Sequence, residues 1–283
     1  MTPDAAAELE RLGSAHVLSR LSIDDGFVDL GGFESHIFEV GDRIIRLTHD
    51  SHRSEDQILG ELEWLTDLKS RGAAVCAPLP LADGLTTRVD NFTACCFERA
   101  RGRTIEEADW GRSLFAAWGA GLGALHQAGR DFAPTREHYR RSYWLTDDNL
   151  DLAARIPADQ TRVIELARAR RRWLLTLDES PRHFGLIHSD AHLGNFLVDV
   201  SDEAFGRGDH LTFFDFDDAC YCWYAYVSQR FCSARCSSRG ARSTMDSGAV
   251  MRRGFWFRFW TGGTPDGRSS GADVTACGVS GGA

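Results

Sequence analysis

Lysine is almost absent from the sequence: Lys69 is the one lysine among 283 residues, and arginine supplies the other basic side chains. Acidic residues outnumber basic residues by 41 to 32, so the formal net charge is −9. A nucleic-acid-binding face usually needs clustered basic charge, and this balance therefore argues against a nucleic-acid partner. A cationic small molecule is compatible with the balance, although net charge alone identifies no ligand.

The sequence has no apolar run of the roughly 18 residues that a transmembrane helix requires. Its first 21 residues lack the basic start and the apolar core of a signal peptide. We therefore expect a cytoplasmic protein with no membrane partner. The sequence indicates no particular oligomeric state.

The 8 cysteines include no C-x-x-C pair, and in a cytoplasmic chain they are most simply reduced thiols. A zinc site formed by Cys220-x-Cys222 and Cys232-x-x-x-Cys236 is the alternative. Neither spacing is typical of zinc sites, so reduced thiols are the preferred interpretation.

The composition changes abruptly near the C-terminus. From Val227 to Ala283 the chain has no Leu, Ile, Glu or Lys, while Ser, Gly and Arg dominate and an isolated aromatic run occupies 255–260. A segment of this composition does not complete a core. We interpret 227–283 as an atypical tail that is either disordered or the product of a shifted reading frame, and sequencing the locus would distinguish the two.

Alternating apolar and polar residues predict a β-hairpin near the N-terminus. The alternation covers 36–40 and 43–47 on either side of Gly41-Asp42, a pair typical of tight turns. Gly31-Gly32 precede the first of these strands and predict a flexible loop. Residues 54–70 carry apolar residues at helical spacing after Ser54, which is typical of an N-cap.

Periodicity also predicts the remaining elements. They are helices at 4–21, 111–128 and 158–177 and strands at 75–81, 92–97 and 211–219. In the helix at 111–128, Trp118, Leu122 and Leu125 are expected in the core, and His126 is expected to be a hydrogen-bonded histidine rather than a ligand. Sheet and helix together indicate the α+β class.

A block of polar residues separates two apolar runs in LIHSDAHLGNFLVDV, residues 186–200. Asp190 and Asn195 stand 5 positions apart, His188 stands 2 positions before Asp190, and Asp215 follows 20 positions after Asn195. Phosphoryl transfer from a nucleotide needs a carboxylate that orients and deprotonates the attacking hydroxyl, and oxygen ligands that hold magnesium on the phosphates. The protein-kinase pattern H-x-D-x-x-x-x-N followed by D-F-G meets this need with the same arrangement.

The two motifs resemble those of the aminoglycoside phosphotransferase family of small-molecule kinases, within the protein-kinase-like superfamily. The loop of that family reads much like H-G-D-x-H-x-G-N, and residues 188–195 depart from it only at Ser189. Its second motif is similar to D-F-D-D-A, which residues 215–219 match. The resemblance covers about residues 27–226.

The resemblance implies a bilobal protein-kinase-like fold of the α+β class, with ATP and Mg²⁺ bound between the lobes. A small nucleotide-binding lobe of sheet and one helix would span 1–98. A mainly helical catalytic lobe would span 99–226. By the same resemblance Asp190 would be the catalytic base, and His188 would brace the loop. The magnesium ligands would be Asn195 and Asp215, and the side chains close by that help to position them would be His192 and Asp217.

The nucleotide-binding side follows from the resemblance as well. The helix at 54–70 would be the kinase helix C, with Glu61 as its pairing glutamate. Arg46 stands where the family usually has a lysine for the α- and β-phosphates, and a guanidinium can fork onto a phosphate and onto Glu61. The alternative for Arg46 is a surface arginine on a strand, and the alternative for Glu61 is an exposed charge on a helix. The loop over the phosphates would include Gly31, Gly32 and Ser35, for which an ordinary turn is the alternative.

Two rival functions use the same residues. His188, Asp190 and His192 alternate, so on a strand they would face one way and could hold zinc or iron for hydrolysis. That hypothesis leaves Asn195 and Asp215 without a role. The other rival is a nucleotide-binding pseudokinase with a damaged catalytic lobe, which the atypical tail favours.

The acceptor is expected to be a small molecule with a hydroxyl group, because no A-P-E motif follows Asp215. Candidates are an aminoglycoside, an amino alcohol, a sugar or a homoserine-like amino acid, and a Ser/Thr protein kinase of the same family remains an alternative. Asp147 and Asp148 either contribute to an acidic surface for a cationic acceptor or cap a helix that begins near Leu150. The other acidic residues of that surface would be Asp151, Asp217 and Asp218.

Overall fold

The computed structural model describes residues 2–23, 26–32, 34–106, 109–146, 156–199 and 211–227. The predictions for the tail beyond Val227, for Cys232 and Cys236, and for the acidic residues at 147–151 concern residues outside this set. Val227 itself, where the composition changes, is buried in the core. Within the described ranges, no helix combines the length and the apolar character that a membrane crossing demands.

Five α-helices, two 3₁₀ turns and ten strands make up the described ranges. The helices are α1 (Pro3–Leu12), α2 (Ser14–Ser19), α3 (Glu55–Ser70), α4 (Arg112–Gly129) and α5 (Thr161–Leu174), and the 3₁₀ turns are Glu137–Tyr139 and Tyr224–Val227. The strands are β1 (Phe27–Gly31), β2 (His36–Val40), β3 (Arg43–His49), β4 (Pro78–Leu79), β5 (Thr86–Val89), β6 (Phe92–Glu98), β7 (Phe184–Ile187), β8 (Phe196–Val198), β9 (Leu211–Phe213) and β10 (Cys220–Trp223). The predicted α+β class is confirmed.

The N-terminal strands form one antiparallel sheet with the order β1-β2-β3-β6-β4, and β5 also pairs with β6. The predicted hairpin is β2–β3, in which Phe38 pairs with Ile45. Ile45 and Leu47 point to a buried cluster that includes residues of α1 and α2. Because side chains alternate along a strand, Arg46 points to the opposite face, toward α3.

Helix α3 begins where the sequence predicts. The Ser54 hydroxyl accepts a hydrogen bond from the Gln57 N–H at 3.3 Å, and the Gln57 side-chain oxygen accepts one from the Ser54 N–H at 2.9 Å. This capping box satisfies two N–H groups that a helix start otherwise leaves without partners. The helix buries Ile58 and Leu62 under the sheet and Trp64 against the other half of the molecule.

Several predicted boundaries are wrong. Gly13, with φ of 81°, ends α1, so the helix predicted at 4–21 is two helices. Gly31 ends strand β1 rather than lying in a loop, and β5 was not predicted. The strand predicted at 75–81 shrinks to Pro78–Leu79, because Pro78 and Pro80 have no N–H to donate to a sheet. Val75 and Cys76 pair with Phe213 instead.

The C-terminal half is built around α4 and two short antiparallel pairs, β7–β10 and β8–β9. Trp118, Leu122 and Leu125 of α4 are buried, as predicted. The predicted helix at 158–177 is shorter, as α5, and the predicted strand at 211–219 ends at Phe213. The largest core cluster joins this half to Trp64, Leu65 and Leu68 of α3, so the core crosses the predicted boundary at residue 98. The division into two lobes stays a prediction.

Replacing Gly60 by alanine is expected to lower the free energy of unfolding by about 1–3 kcal/mol. A Cβ at Gly60 would overlap the carbonyl oxygen of Tyr139, which packs against α3. The matched control is Gly123→Ala on α4, where a Cβ meets no atom of the described residues within 4 Å. There the helix propensity of alanine should stabilise the protein by about 1 kcal/mol. Urea unfolding measures the change in the free energy of unfolding for each variant. Equal changes would contradict the close contact at Gly60.

Candidate active site

The loop between β7 and β8 carries the polar block in a series of tight turns. Ser189 adopts φ of 63°, a left-handed conformation that glycine adopts more readily. The Asp190 N–H donates to the His188 carbonyl oxygen at 2.8 Å, and the His192 N–H donates to the Asp190 carbonyl oxygen at 2.7 Å. The Asn195 N–H closes the loop on the His192 carbonyl oxygen at 3.0 Å. The two flanking apolar runs are strands, and the polar block is the turn between them.

Two neighbouring side chains orient the carboxylate of Asp190. The Asn195 Nδ2 donates to the Asp190 carbonyl oxygen at 2.9 Å and lies 3.4 Å from Asp190 Oδ2. The His192 Nδ1 accepts the Gly194 N–H at 2.8 Å, so we assign the ring proton to Nε2, which lies 3.5 Å from the same Oδ2. Two donors are therefore directed at one oxygen of Asp190.

His188 braces the loop from the core side. Its Nε2 donates to the Phe214 carbonyl oxygen at 3.0 Å, and its ring lies 4.2 Å from that of Phe216 between centroids. Burial lowers the pKa of His188 despite the opposing charge of Asp190, so the ring is neutral. A neutral ring suits a structural contact between the polar block and the residues that follow β9.

The geometry does not favour the rival metal site of His188, Asp190 and His192. Strand β7 ends at Ile187, so these residues lack the strand alternation that would place them on one face. His188 is buried against Phe216, whereas Asp190 and His192 line a cleft. The three side chains therefore do not converge on one point in this structure.

Asp215 follows β9 at φ of 63°, which turns the chain away from the strand direction. The Phe214 N–H donates to the Asn195 carbonyl oxygen at 3.1 Å and joins this turn to the polar block. Asp215 is exposed to the cleft by its accessible surface, yet the protein atoms around it, followed by the negative charge of Asp217, raise its pKa above its ordinary value. Arg46 opposes the shift. A cation in the cleft would relieve this crowding of carboxylates.

Arg46 and Glu61 form a forked ion pair. The Nη1–Oε1 distance is 2.9 Å and the Nη2–Oε2 distance is 2.6 Å. The side chains are 5% and 1% exposed, which excludes the alternatives of a surface arginine and an exposed helix charge. Burial alone would lower the pKa of Arg46, but the carboxylate of Glu61 raises it well above its ordinary value. The guanidinium of Arg46 is therefore charged, and its burial depends on the forked contact with Glu61.

One cleft brings together most of the residues that the sequence singles out. This cleft is open to solvent. The predicted site residues that line it are Ser35, Arg46, Asp190, His192, Asn195, Asp215, Asp217 and Asp218. Glu61 reaches the cleft through Arg46, and His188 supports it from the core. Gly31 and Gly32 are not among its lining residues, and Phe33 lies outside the described ranges.

One histidine and two arginines that the sequence did not single out hold the second motif. His52 Nε2 lies 2.7 Å from Asp217 Oδ2, and Arg53 Nε lies 3.3 Å from Asp217 Oδ1. Arg141 donates to the carbonyl oxygens of Asp217 and Ala219. The hydrogen bond from His52 and the charge of Arg53 lower the pKa of Asp217 against the opposing effect of burial. His52 and Arg53 already contact the carboxylate of Asp217. The expected contact between Asp217 and a cationic acceptor therefore does not fit the observed geometry.

Asp218 differs from Asp217 in its surroundings. Burial, followed by the nearby charges of Glu34, Asp217 and Asp190, raises the pKa of Asp218 to about 7. Arg53 Nη2 lies 3.0 Å from its Oδ1 and opposes that shift. Asp218 therefore titrates near neutral pH at the edge of the cleft.

Glu34, His52 and Asp217 offer ligand atoms within 4.8 Å of one another. The 2.7 Å separation of His52 Nε2 and Asp217 Oδ2 is that of a hydrogen bond, and Arg53 already neutralises this carboxylate. We therefore interpret the group as an ion-pair cluster and not as a metal site.

His126 lies behind the polar block. Its ring stacks on Tyr224 with 4.7 Å between centroids. Its Nε2 is buried and meets no hydrogen-bond partner in the part of the chain that the structure describes, so the prediction of a hydrogen-bonded histidine is wrong at this atom. Burial lowers the pKa of His126 to about 4 and keeps it neutral.

The sequence profile of the phosphotransferase enzyme family matches residues 29–226, which is more than half of the chain. Amicoumacin kinase of Bacillus subtilis (strain 168) is 32% identical over an alignment of 187 residues, and the alignment covers 64% of this chain and 53% of the relative. The chain spans little more than half the length of the curated relatives it matches, between 53% and 58%.

Solved structures share the fold. The amicoumacin kinase hAmiN, in complex with AMP-PNP, Ca²⁺ and Ami, superposes with a TM-score of 0.73 at 29% identity, over 81% of this chain and 70% of that chain. The microcompartment-associated aminopropanol kinase superposes with a TM-score of 0.55 over 92% of this chain and 79% of that chain. At 22% identity, this second likeness concerns the fold alone.

Proposed function

This chain belongs to the phosphotransferase enzyme family, and on that premise we propose that it transfers the γ-phosphoryl group of ATP to a hydroxyl group of a small molecule. The observation that carries the proposal is the convergence of Arg46, Asp190, Asn195 and Asp215 on one cleft. A carboxylate base, oxygen ligands for a divalent cation and a cation for the phosphates are the parts that this reaction requires.

Asp190 is the proposed catalytic base. Asn195 Nδ2 and His192 Nε2 lie 3.4 and 3.5 Å from one of its carboxylate oxygens, and this proximity favours one orientation of the carboxylate before a substrate arrives. In the proposed reaction Asp190 accepts the proton of the acceptor hydroxyl as that oxygen attacks the γ-phosphorus. His188 keeps the loop in place through its hydrogen bond to the Phe214 carbonyl oxygen.

Asn195 and Asp215 are the proposed ligands of a magnesium ion. Their amide and carboxylate oxygens are donors that magnesium prefers. Asp215 lies at the cleft beside Asn195, and a divalent cation there would stabilise its ionised carboxylate. The Ca²⁺ in the related amicoumacin kinase structure supports a divalent metal. When bound, the ion would neutralise phosphate charge.

Arg46 is proposed to contact the phosphates in place of the family's usual lysine. Its two Nη atoms hold Glu61, while its Nε is buried with no hydrogen-bond partner among the described residues. Arg46 lines the cleft, so we propose that it offers the phosphates a positive charge that Glu61 shares.

The proposed acceptor is a small molecule. Amicoumacin kinase, at 32% identity, supports this class over a protein substrate. Aminoglycosides, amino alcohols, sugars and homoserine-like amino acids remain the candidates. The described cleft does not select among them.

Binding of AMP-PNP, measured by calorimetry with and without Mg²⁺, tests the proposal. We expect binding that strengthens when Mg²⁺ is added, and we expect Asp215→Asn to lose most of that increase. A folded sample that binds no AMP-PNP at either condition would contradict the nucleotide site. A screen of the candidate acceptors with ATP follows, and magnesium-dependent binding without turnover on any acceptor would favour the pseudokinase.

A further inference from the structure

A cluster of one histidine and two arginines binds the D-F-D-D-A motif, and we call this cluster the clamp and define it as His52, Arg53 and Arg141. Besides its contacts with the Asp217 carboxylate, Arg53 donates through Nη2 to the Asp217 carbonyl oxygen at 3.2 Å and to Asp218 Oδ1 at 3.0 Å. Arg141 donates through Nε to the Ala219 carbonyl oxygen at 3.0 Å. The clamp therefore binds both the side chains and the backbone of this motif.

Two of the three clamp residues lie between the strand that carries Arg46 and the helix that carries Glu61. His52 and Arg53 lie in the turn that leaves β3, and both of their N–H groups donate to the His49 carbonyl oxygen, at 2.9 and 3.3 Å. The capping box at Ser54 then begins α3 directly. Arg141 adds a third link, because its Nη1 donates to the Gln57 carbonyl oxygen in the first turn of α3 at 2.6 Å.

The opposite side of the motif is fixed by packing. Phe216 is fully buried, and its ring lies against His188 and, at 5.4 Å between centroids, against Trp64. Asp215 precedes this anchor and Asp217 follows it. Phe216 in the core and Asp217 in the clamp restrain the chain after Asp215, and the hydrogen bond from the Phe214 N–H to the Asn195 carbonyl oxygen restrains the chain before it.

We propose that His52 and Arg53 are positioning residues that hold Asp215 at a fixed position relative to the Arg46–Glu61 pair. They act through Asp217 and Asp218, and the contacts described above link them to the motif rather than to the proposed reacting atoms. The inference rests on the proposed function, since it assigns Asp215 to a divalent cation. In physical terms, contacts from β3 and α3 fix the position of Asp215. Loss of the clamp therefore weakens metal binding more than it weakens nucleotide binding.

The test compares Arg53→Ala, Arg53→Lys and the control Arg88→Ala in the full chain. Arg88 also pairs with an aspartate next to this turn, Asp50, but the pair is 39% and 44% exposed. AMP-PNP binding is measured by calorimetry over a series of Mg²⁺ concentrations. Arg53→Ala is expected to raise the Mg²⁺ concentration for half-maximal effect by about 10- to 100-fold, a range typical of residues that orient metal ligands. Metal-free AMP-PNP affinity should stay within about twofold in every variant, a change of well under 1 kcal/mol.

The other variants sharpen the result. Arg53→Lys keeps the charge but cannot reach all the acceptors, so an intermediate loss is expected. If Arg53→Ala does not fold, His52→Ala tests the same inference with the loss of one contact. Equal weakening of metal-free and metal-dependent binding, or no change in either, would overturn the positioning role. Absence of metal-dependent binding in the unaltered protein would instead overturn the proposed function, and the inference with it.

Discussion

Replacement of Asp190 by asparagine is expected to slow phosphoryl transfer by about 10²- to 10⁴-fold, the range that a positioned general base contributes. The amide is nearly isosteric with the carboxylate and can still accept a hydrogen bond from Asn195, which lies 3.4 Å from Oδ2. It cannot take up the proton of the acceptor hydroxyl. The loop should keep its shape, and the rate with a saturating acceptor measures the effect.

Two controls make this result specific to Asp190. Binding of AMP-PNP and the thermal midpoint of unfolding should be close to those of the unaltered protein, since the substitution removes a proton acceptor and little packing. Asp83→Asn, in an exposed turn, removes the same charge and should leave the rate unchanged. If Asp190→Asn turns over as fast as Asp83→Asn, then Asp190 is not the base.

The polar block could be interpreted from the sequence because its contacts are local. Asp190, His192 and Asn195 interact within one turn, so their spacing encodes their geometry. Asp215 joins them because β8 and β9 pair directly, which brings the end of β9 beside the start of β8. A motif whose parts are joined by neighbouring strands needs little knowledge of the rest of the fold.

The clamp could not be predicted in the same way. His52 and Arg53 lie 165 and 164 positions from Asp217, and no periodicity joins them. In sequence they are two polar residues before a helix N-cap, which is the composition of an ordinary surface turn. Only the packing of α3 against the C-terminal half places that turn beside the D-F-D-D-A motif.

The edge strands escaped prediction for a different reason. β1 buries none of its five residues fully, and β5 is four residues long with the polar sequence Thr-Thr-Arg-Val. Each is held by pairing with a single neighbour, which is β2 for β1 and β6 for β5. Apolar alternation identifies strands that face a core, so short strands at the margin of a sheet give little signal.

Removal of Glu61 is expected to be the most destabilising single change at the site. Glu61→Ala leaves the guanidinium of Arg46 charged and buried without its partner, since Arg46 is 4% exposed. Breaking a buried pair in this way commonly costs about 3–5 kcal/mol. The free energy of unfolding in urea measures the loss. Arg71→Ala is the matched control, because it breaks the partly exposed ion pair between Arg71 and Asp67 of α3. We expect that change to lower the free energy of unfolding by less than about 1 kcal/mol.

A double variant separates the structural role of this pair from its proposed role toward the phosphates. Arg46→Met combined with Glu61→Leu removes both charges and fills the space with apolar side chains, a replacement that is often neutral or stabilising. We expect stability to recover most of the loss seen in Glu61→Ala, while AMP-PNP binding does not recover, because no cation then faces the phosphates. Recovery of both stability and AMP-PNP binding would mean that the pair holds α3 against β3 and does not contribute to nucleotide binding. Recovery of stability alone is the result that assigns Arg46 to the phosphates.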